Sequence, residues 1–168
     1  MAADDTDGTD DTYGKLLTLL DEHAAAYRVI EHAPEGGTEA VSLLRGHELA
    51  EAAKCIIVMV KIGKKEKRYA LVVVPGDKRI DIAAVKALYG GTYASFASAD
   101  IAEELAGSPS GTILPFSFDE RLELIVDPGL LEHPEFYFNA ARLDRSLALS
   151  TADYRSIAEP RVESVALD

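Results

Sequence analysis

The chain has 168 residues, 48% of them hydrophobic and 27% charged, with a formal net charge of −12. That length and composition suit one domain with a real core, and the charge argues against a protein that grips nucleic acid mainly through phosphates. No apolar run approaches the roughly 18 to 20 residues of a membrane-spanning helix and the start lacks a secretion signal, so a cytoplasmic protein is expected.

The first eleven residues, MAADDTDGTDD, carry five aspartates and are expected to form a disordered acidic tail, followed by a single domain over 12–168. TYGKLLTLLDEHAA (12–25) places Leu16, Leu19, Leu20 and Ala24 on one face of a helix behind a threonine cap. YRVIEH (27–32) reads as a short strand, and a second helix runs from Thr38 through Val41 and Leu44 to Leu49. KCIIVMVKI and RYALVVV then form a hairpin across the basic turn KIGKKEKR (61–68). Two short helices follow, DIAAVKALYGG behind an aspartate cap and SADIAEELAG behind Ser98, flanking a possible strand TYASF. After Gly107 the sequence turns β-rich, with TILPFSF, LELIVD, FYFNA and SLALS read as strands, and TADYRSIA closes the chain as a helix before Pro160. Helices mixed with hairpins imply an α+β fold with a mixed sheet, because a hairpin interrupts continuous βαβ winding.

Chemistry-bearing motifs are scarce. The sequence has no GxSxG elbow, phosphate-binding glycine loop, dinucleotide fingerprint or HExxH, and its four histidines are scattered, so neither a metal nor a cofactor is expected. The single cysteine, Cys55, lies in the apolar run CIIVMV and reads as a buried, inert thiol. Two features remain unusual. Lys54 opens the most apolar strand and shares a face with Ile56, Val58 and Val60, so its ammonium either reaches solvent or charges a pocket. GTILPF (111–116) sets Gly111 and Pro115 around a strand-like core, which suits either a bulge needed for folding or a loop whose backbone approaches a ligand. Lys64, Lys65 and Lys67 of the basic turn form either a solvated tip or a local phosphate contact.

HAP (32–34), Thr38–Glu39–Ala40, the lysine of AAKCIIV, VVVPGDKRID, SGTILPF and LIVDPGLL occur in the order found in YbaK/ProX-type aminoacyl-tRNA deacylases, which the chain resembles from about Tyr13 to Pro160. EAVSLLRG, PFSF, FNAARLDRS and TADYRSIAEP look closest to the free-standing branch that clears Ser- or Thr-tRNA. The resemblance implies a mainly antiparallel, partly barrel-like central sheet with helices around it, and a metal-free hydrolase acting on the aminoacylated end of tRNA, with Ala-tRNA as the next substrate. It places Lys54 in the active site and puts Gly111 and Pro115 on a loop against the aminoacyl group. Asn139 falls where relatives carry a polar pocket residue that would suit a hydroxyl-bearing amino acid, and His32 borders the pocket. A synthetase partner, or a non-catalytic module that binds aminoacyl-tRNA or a synthetase, is also compatible with these residues.

Overall fold

The computed structural model describes residues 8–168, with side chains from Thr12 onward. The first seven positions of the expected acidic tail lie outside the described residues, and helix α1 (Gly8–Glu22) begins at Gly8. Leu16 and Leu20 are fully buried on its inner face, whereas Ala24 has left the helix and turns at φ +53°. β1 (Tyr27–Glu31) leads to α2 (Thr38–Arg45), which stops earlier than its apolar spacing suggests. Gly46 takes φ +77° there, and its N–H and that of His47 close onto carbonyls of the last turn, so Leu49 falls in a separate 3-10 turn (Leu49–Glu51).

β2 (Ala53–Ile62) and β3 (Glu66–Pro75) form the hairpin in the register Lys54↔Val74 to Ile62↔Glu66. A short β4 (Arg79–Ile80) precedes α3 (Ile82–Leu88), β5 (Tyr93–Phe96) and α4 (Ala99–Ala106). The Asp81 and Ser98 side chains cap α3 and α4, as the sequence indicates. β6 (Leu122–Val126), β7 (Glu135–Asn139), β8 (Arg145–Ser150), α5 (Thr151–Ala158), β9 (Arg161–Val162) and β10 (Ala166–Leu167) complete the fold.

The central sheet has the order β5-β2-β3-β6-β9, antiparallel on the β2 side and parallel where β6 joins β3 and β9 joins β6. A second, antiparallel sheet, β1-β8-β7, meets the first through a bridge between Ala52 and Tyr137, and β4 pairs with β10. The α+β architecture with a mixed sheet is therefore present, but the strands of the described residues form separate sheets and do not close into a barrel.

Both faces of β3 are covered, which is why it reads as an unbroken apolar run. Leu71 and Val73 join Ile57, Phe136, Phe138, Leu147 and Tyr154 in the core between the two sheets. Ala70, Val72 and Val74 join Val58, Val60 and Val85 in a smaller core under α3.

TILPFSF, expected as a strand, is a loop. Pro115 has no donor for a ladder, and the segment's backbone oxygens are taken up by side chains instead. The Tyr154 hydroxyl donates to the Pro115 carbonyl at 2.7 Å, and the Ser108 hydroxyl to that of Thr112 at 3.4 Å. Leu114 and Phe116 still point inward and anchor the loop in the core. LIVDPG also serves the fold, because the Asp127 carboxylate accepts from the backbone N–H of Gly129 and of Val165 and so ties the C-terminal segment to the end of β6.

Candidate active site

A cavity of about 380 Å³ opens where β2, the start of α2, the 111–115 loop and the end of β7 converge. Gly36, Gly37, Thr38 and Val41 form one side, Ala53, Lys54, Cys55 and Ile56 a second, and Gly111, Ile113, Phe138 and Asn139 a third, with Arg45 at the end of α2. Among the described residues, no aspartate or glutamate lines it. On a chain of net charge −12, this cavity carries two cations.

Lys54 sits at the mouth of the β2 row as its period-two position requires, beyond Ile56, Val58 and Val60. Its Nζ donates to the Lys78 carbonyl at 2.5 Å. Burial lowers its pKa from the ordinary lysine value, the Asp77 carboxylate works against that shift, and Arg79 adds to it. Neighbouring Cys55, expected to be buried, is half-buried on the cavity wall, and burial raises the pKa of its thiol so strongly that the protonated form persists.

Gly111 has φ +87°, and its position lies directly against Gly36: a Cβ there would stand 3.0 Å from the Gly36 Cα and 3.1 Å from its carbonyl oxygen. Ser110 holds the loop to α4 by donating from its backbone N–H and its hydroxyl to Glu103, which lowers the pKa of that carboxylate. Pro115 is buried beneath the loop rather than on the cavity wall, fixed by Tyr154.

Asn139 lines the cavity, but its amide is fully engaged. Nδ2 donates to the Glu35 carbonyl at 2.8 Å and the Gly111 carbonyl at 3.0 Å, while Oδ1 accepts from the Ser146 hydroxyl at 2.9 Å and from Arg45 Nη1 at 3.4 Å. It thereby clamps the two loops that form the cavity. His32 is not on the wall: its Nε2 meets the Ser146 hydroxyl at 2.7 Å and its Nδ1 the Ala33 carbonyl at 2.8 Å, so it supports the clamp from behind.

Arg45 is the wall residue that sequence reasoning passed over. Its Nε donates to His47 Nε2 at 2.9 Å and its Nη1 to Ser146 at 2.9 Å, and the guanidinium lies 5.9 Å from the centre of the Tyr137 ring, on which His47 stacks. Burial draws its pKa from 12.5 down to about 10. The signal was present in EAVSLLRG: Arg45 follows Val41 by four residues, which puts it on the inward face of α2.

Lys64, Lys65 and Lys67 are exposed at the far end of the hairpin and form no ion pair among the described residues, whereas Arg68 pairs with Glu66 at 2.6 Å. The eight strand positions between Lys54 and Ile62 put the tip roughly 27 Å from the cavity. Among the described residues no three His, Cys, Asp or Glu side chains gather as a metal ion would need, and no helix is long and apolar enough to cross a membrane.

Two packed sheets, with a cavity that holds a strand-end lysine beneath a Gly-x-x-x-Pro loop, define a class of protein. The chain belongs to the aminoacyl-tRNA editing domain family, whose model matches residues 32–157. It is 40% identical over 152 residues, covering 90% of both chains, to the multifunctional Ser/Thr-tRNA deacylase ProXp-y of Escherichia coli strain K12. Among solved structures, the hypothetical protein APE2540 superposes with a TM-score of 0.81 at 25% identity over 91% of this chain and 99% of that one. A proposed trans-editing enzyme for prolyl tRNA synthetase shares the fold with a TM-score of 0.76 at 18% identity, over 94% of this chain and 98% of the other.

Proposed function

We propose that this chain hydrolyses the ester of wrongly charged tRNA, with seryl- and threonyl-tRNA as its preferred substrates and alanyl-tRNA next. The observation that carries this reading is the 40% identity to a Ser/Thr-tRNA deacylase across nine tenths of both chains. The cavity supports it, with Lys54 and Gly111 both on its walls. Such a reaction belongs in the cytoplasm, where charged tRNA is used.

An aminoacyl ester is activated by its α-ammonium group and the neighbouring ribose hydroxyl, so water can attack it without a protein nucleophile, provided the ester is positioned and the developing charge is met. Lys54 supplies that charge as the catalytic residue. Gly111, whose missing side chain lets the loop pack directly on Gly36, sets the shape of the cavity that takes the aminoacyl end, and Pro115, locked by Tyr154, holds the loop in place. Asn139 and His32 position the walls. Lys64, Lys65 and Lys67 meet tRNA phosphates away from the cavity, and a synthetase that delivers the tRNA would compensate for an otherwise acidic surface.

The rival reading, a binding module without activity, leaves the cavity lysine without a function. Purified seryl-, threonyl- and alanyl-tRNA incubated with the wild-type protein decide between them. Release of serine or threonine well above the rate without protein is the expected result, and binding without release would replace the enzyme by the module.

A further inference from the structure

We propose that Arg45 anchors a phosphodiester oxygen of the nucleotide that carries the aminoacyl ester. The inference rests on the deacylase reading above and assigns a part of the same cavity that neither Lys54 nor the 111–115 loop accounts for.

The first ground is the missing counter-charge. Arg28, Arg68, Arg121, Arg142 and Arg161 each pair with a carboxylate. Arg45, more enclosed, has none among the described residues: its partners there are His47, Ser146, Asn139 and the face of Tyr137, all uncharged acceptors or a ring. A partly desolvated cation without an anion is costly, and its lowered pKa reports that cost. An anionic ligand would remove it.

The second ground is how the guanidinium is held. Nε and Nη1 are fixed by hydrogen bonds and the plane rests beside an aromatic ring, while Nη2 has no hydrogen-bond partner among the described residues and is not among their buried, unsatisfied atoms. Arg45 therefore presents a pre-oriented donor edge on a wall to which the described residues contribute no acid. Guanidinium edges of this kind suit the oxygens of phosphate better than a lysine would.

The third ground is the charge on the substrate. The α-ammonium group is repelled by a guanidinium, and the ester carbonyl becomes negative only in the transition state, where Lys54 is already available. The permanent negative charge nearest the ester is the phosphate on the 5′ side of the same ribose. A contact to a permanent charge is equally strong before and during reaction, so it acts on substrate binding and hence on KM.

The test compares adenosine 5′-monophosphate with adenosine, which differ by the phosphate alone. Binding of each to the free protein is measured by NMR titration for wild type, Arg45→Gln and Arg45→Lys, after thermal melting has shown that each variant is folded, and deacylation kinetics are run in parallel. Wild type should prefer the monophosphate by about tenfold, Arg45→Gln should lose that preference while binding adenosine normally, and Arg45→Lys should restore part of it. In deacylation, Arg45→Gln should raise KM about tenfold and change kcat far less. The proposal is overturned if wild type does not prefer the monophosphate, if Arg45→Gln keeps the preference, or if kcat collapses at unchanged KM, which would place Arg45 at the ester itself. A preference for the monophosphate in a wild-type protein that deacylates nothing would instead overturn the enzymatic reading and leave the anion site standing.

Discussion

Gly111 and Gly36 meet backbone to backbone: a methyl group on Gly111 would come within 3.0 Å of the Gly36 Cα. With φ at +87° as well, alanine at 111 is opposed both by its own backbone conformation and by the facing loop. Gly111→Ala should therefore lower activity per folded molecule at least about tenfold and also lower Tm by several degrees, since strain of this kind is on the order of 1–3 kcal/mol. Deacylation kinetics alongside calorimetry check this. A drop in Tm with full activity per folded molecule would make the loop purely structural.

Asn139 offers a sharper distinction. Both of its amide hydrogens go to backbone carbonyls, so the side chain has no donor left for a substrate hydroxyl. Asn139→Leu leaves the Glu35 and Gly111 carbonyls without their partner and should destabilise the protein by about 2 kcal/mol or more, seen as a lower Tm. The ratio of seryl- to alanyl-tRNA deacylation should stay within about threefold of wild type. A tenfold loss confined to seryl-tRNA would mean that the amide reads the amino acid after all.

Lys54→Met should abolish deacylation with Tm unchanged or raised. The sign follows from linkage: a lysine whose folded pKa lies below its unfolded value opposes folding while charged, and that penalty fades as pH rises through the folded pKa. At neutral pH the penalty is fully present, so its removal cannot destabilise through charge. In the wild type, a rate that depends on the ammonium form should fall with rising pH at a midpoint below the ordinary lysine value. Profiles of kcat/KM against pH, corrected for spontaneous ester hydrolysis, test the second point, and added chelator should leave the rate unchanged.

Replacing Lys64, Lys65 and Lys67 together by glutamine should raise KM at low salt and leave kcat nearly unaltered. Removing each phosphate-binding side chain should flatten the dependence of log binding on log salt by about 0.7 to 0.9. Filter binding of tRNA across a salt series reads this directly, and an unchanged slope would identify the turn as a solvated tip.

Local physics made most of the fold legible from the sequence. Period-two and period-3.6 spacing set the β2–β3 hairpin and the inward face of α1, and the Asp81 and Ser98 caps set where α3 and α4 begin, whereas the grouping of Lys54, Gly111 and Pro115 came from the resemblance to the deacylases alone. Contacts between distant segments decided the rest. TILPFSF has a strand's composition, but Pro115 has no N–H to give a ladder and Tyr154, 39 residues away, takes its carbonyl. Asn139 resembles a polar pocket residue suited to a hydroxyl-bearing amino acid, but Glu35 and Gly111, brought beside it by folding, take both of its amide hydrogens. Arg45 carried no motif of its own in the sequence, because only the folded chain places it on the cavity wall with no carboxylate of the described residues against it. A sequence shows which groups each residue carries; whether those groups are already satisfied depends on neighbours that only the closed tertiary structure supplies.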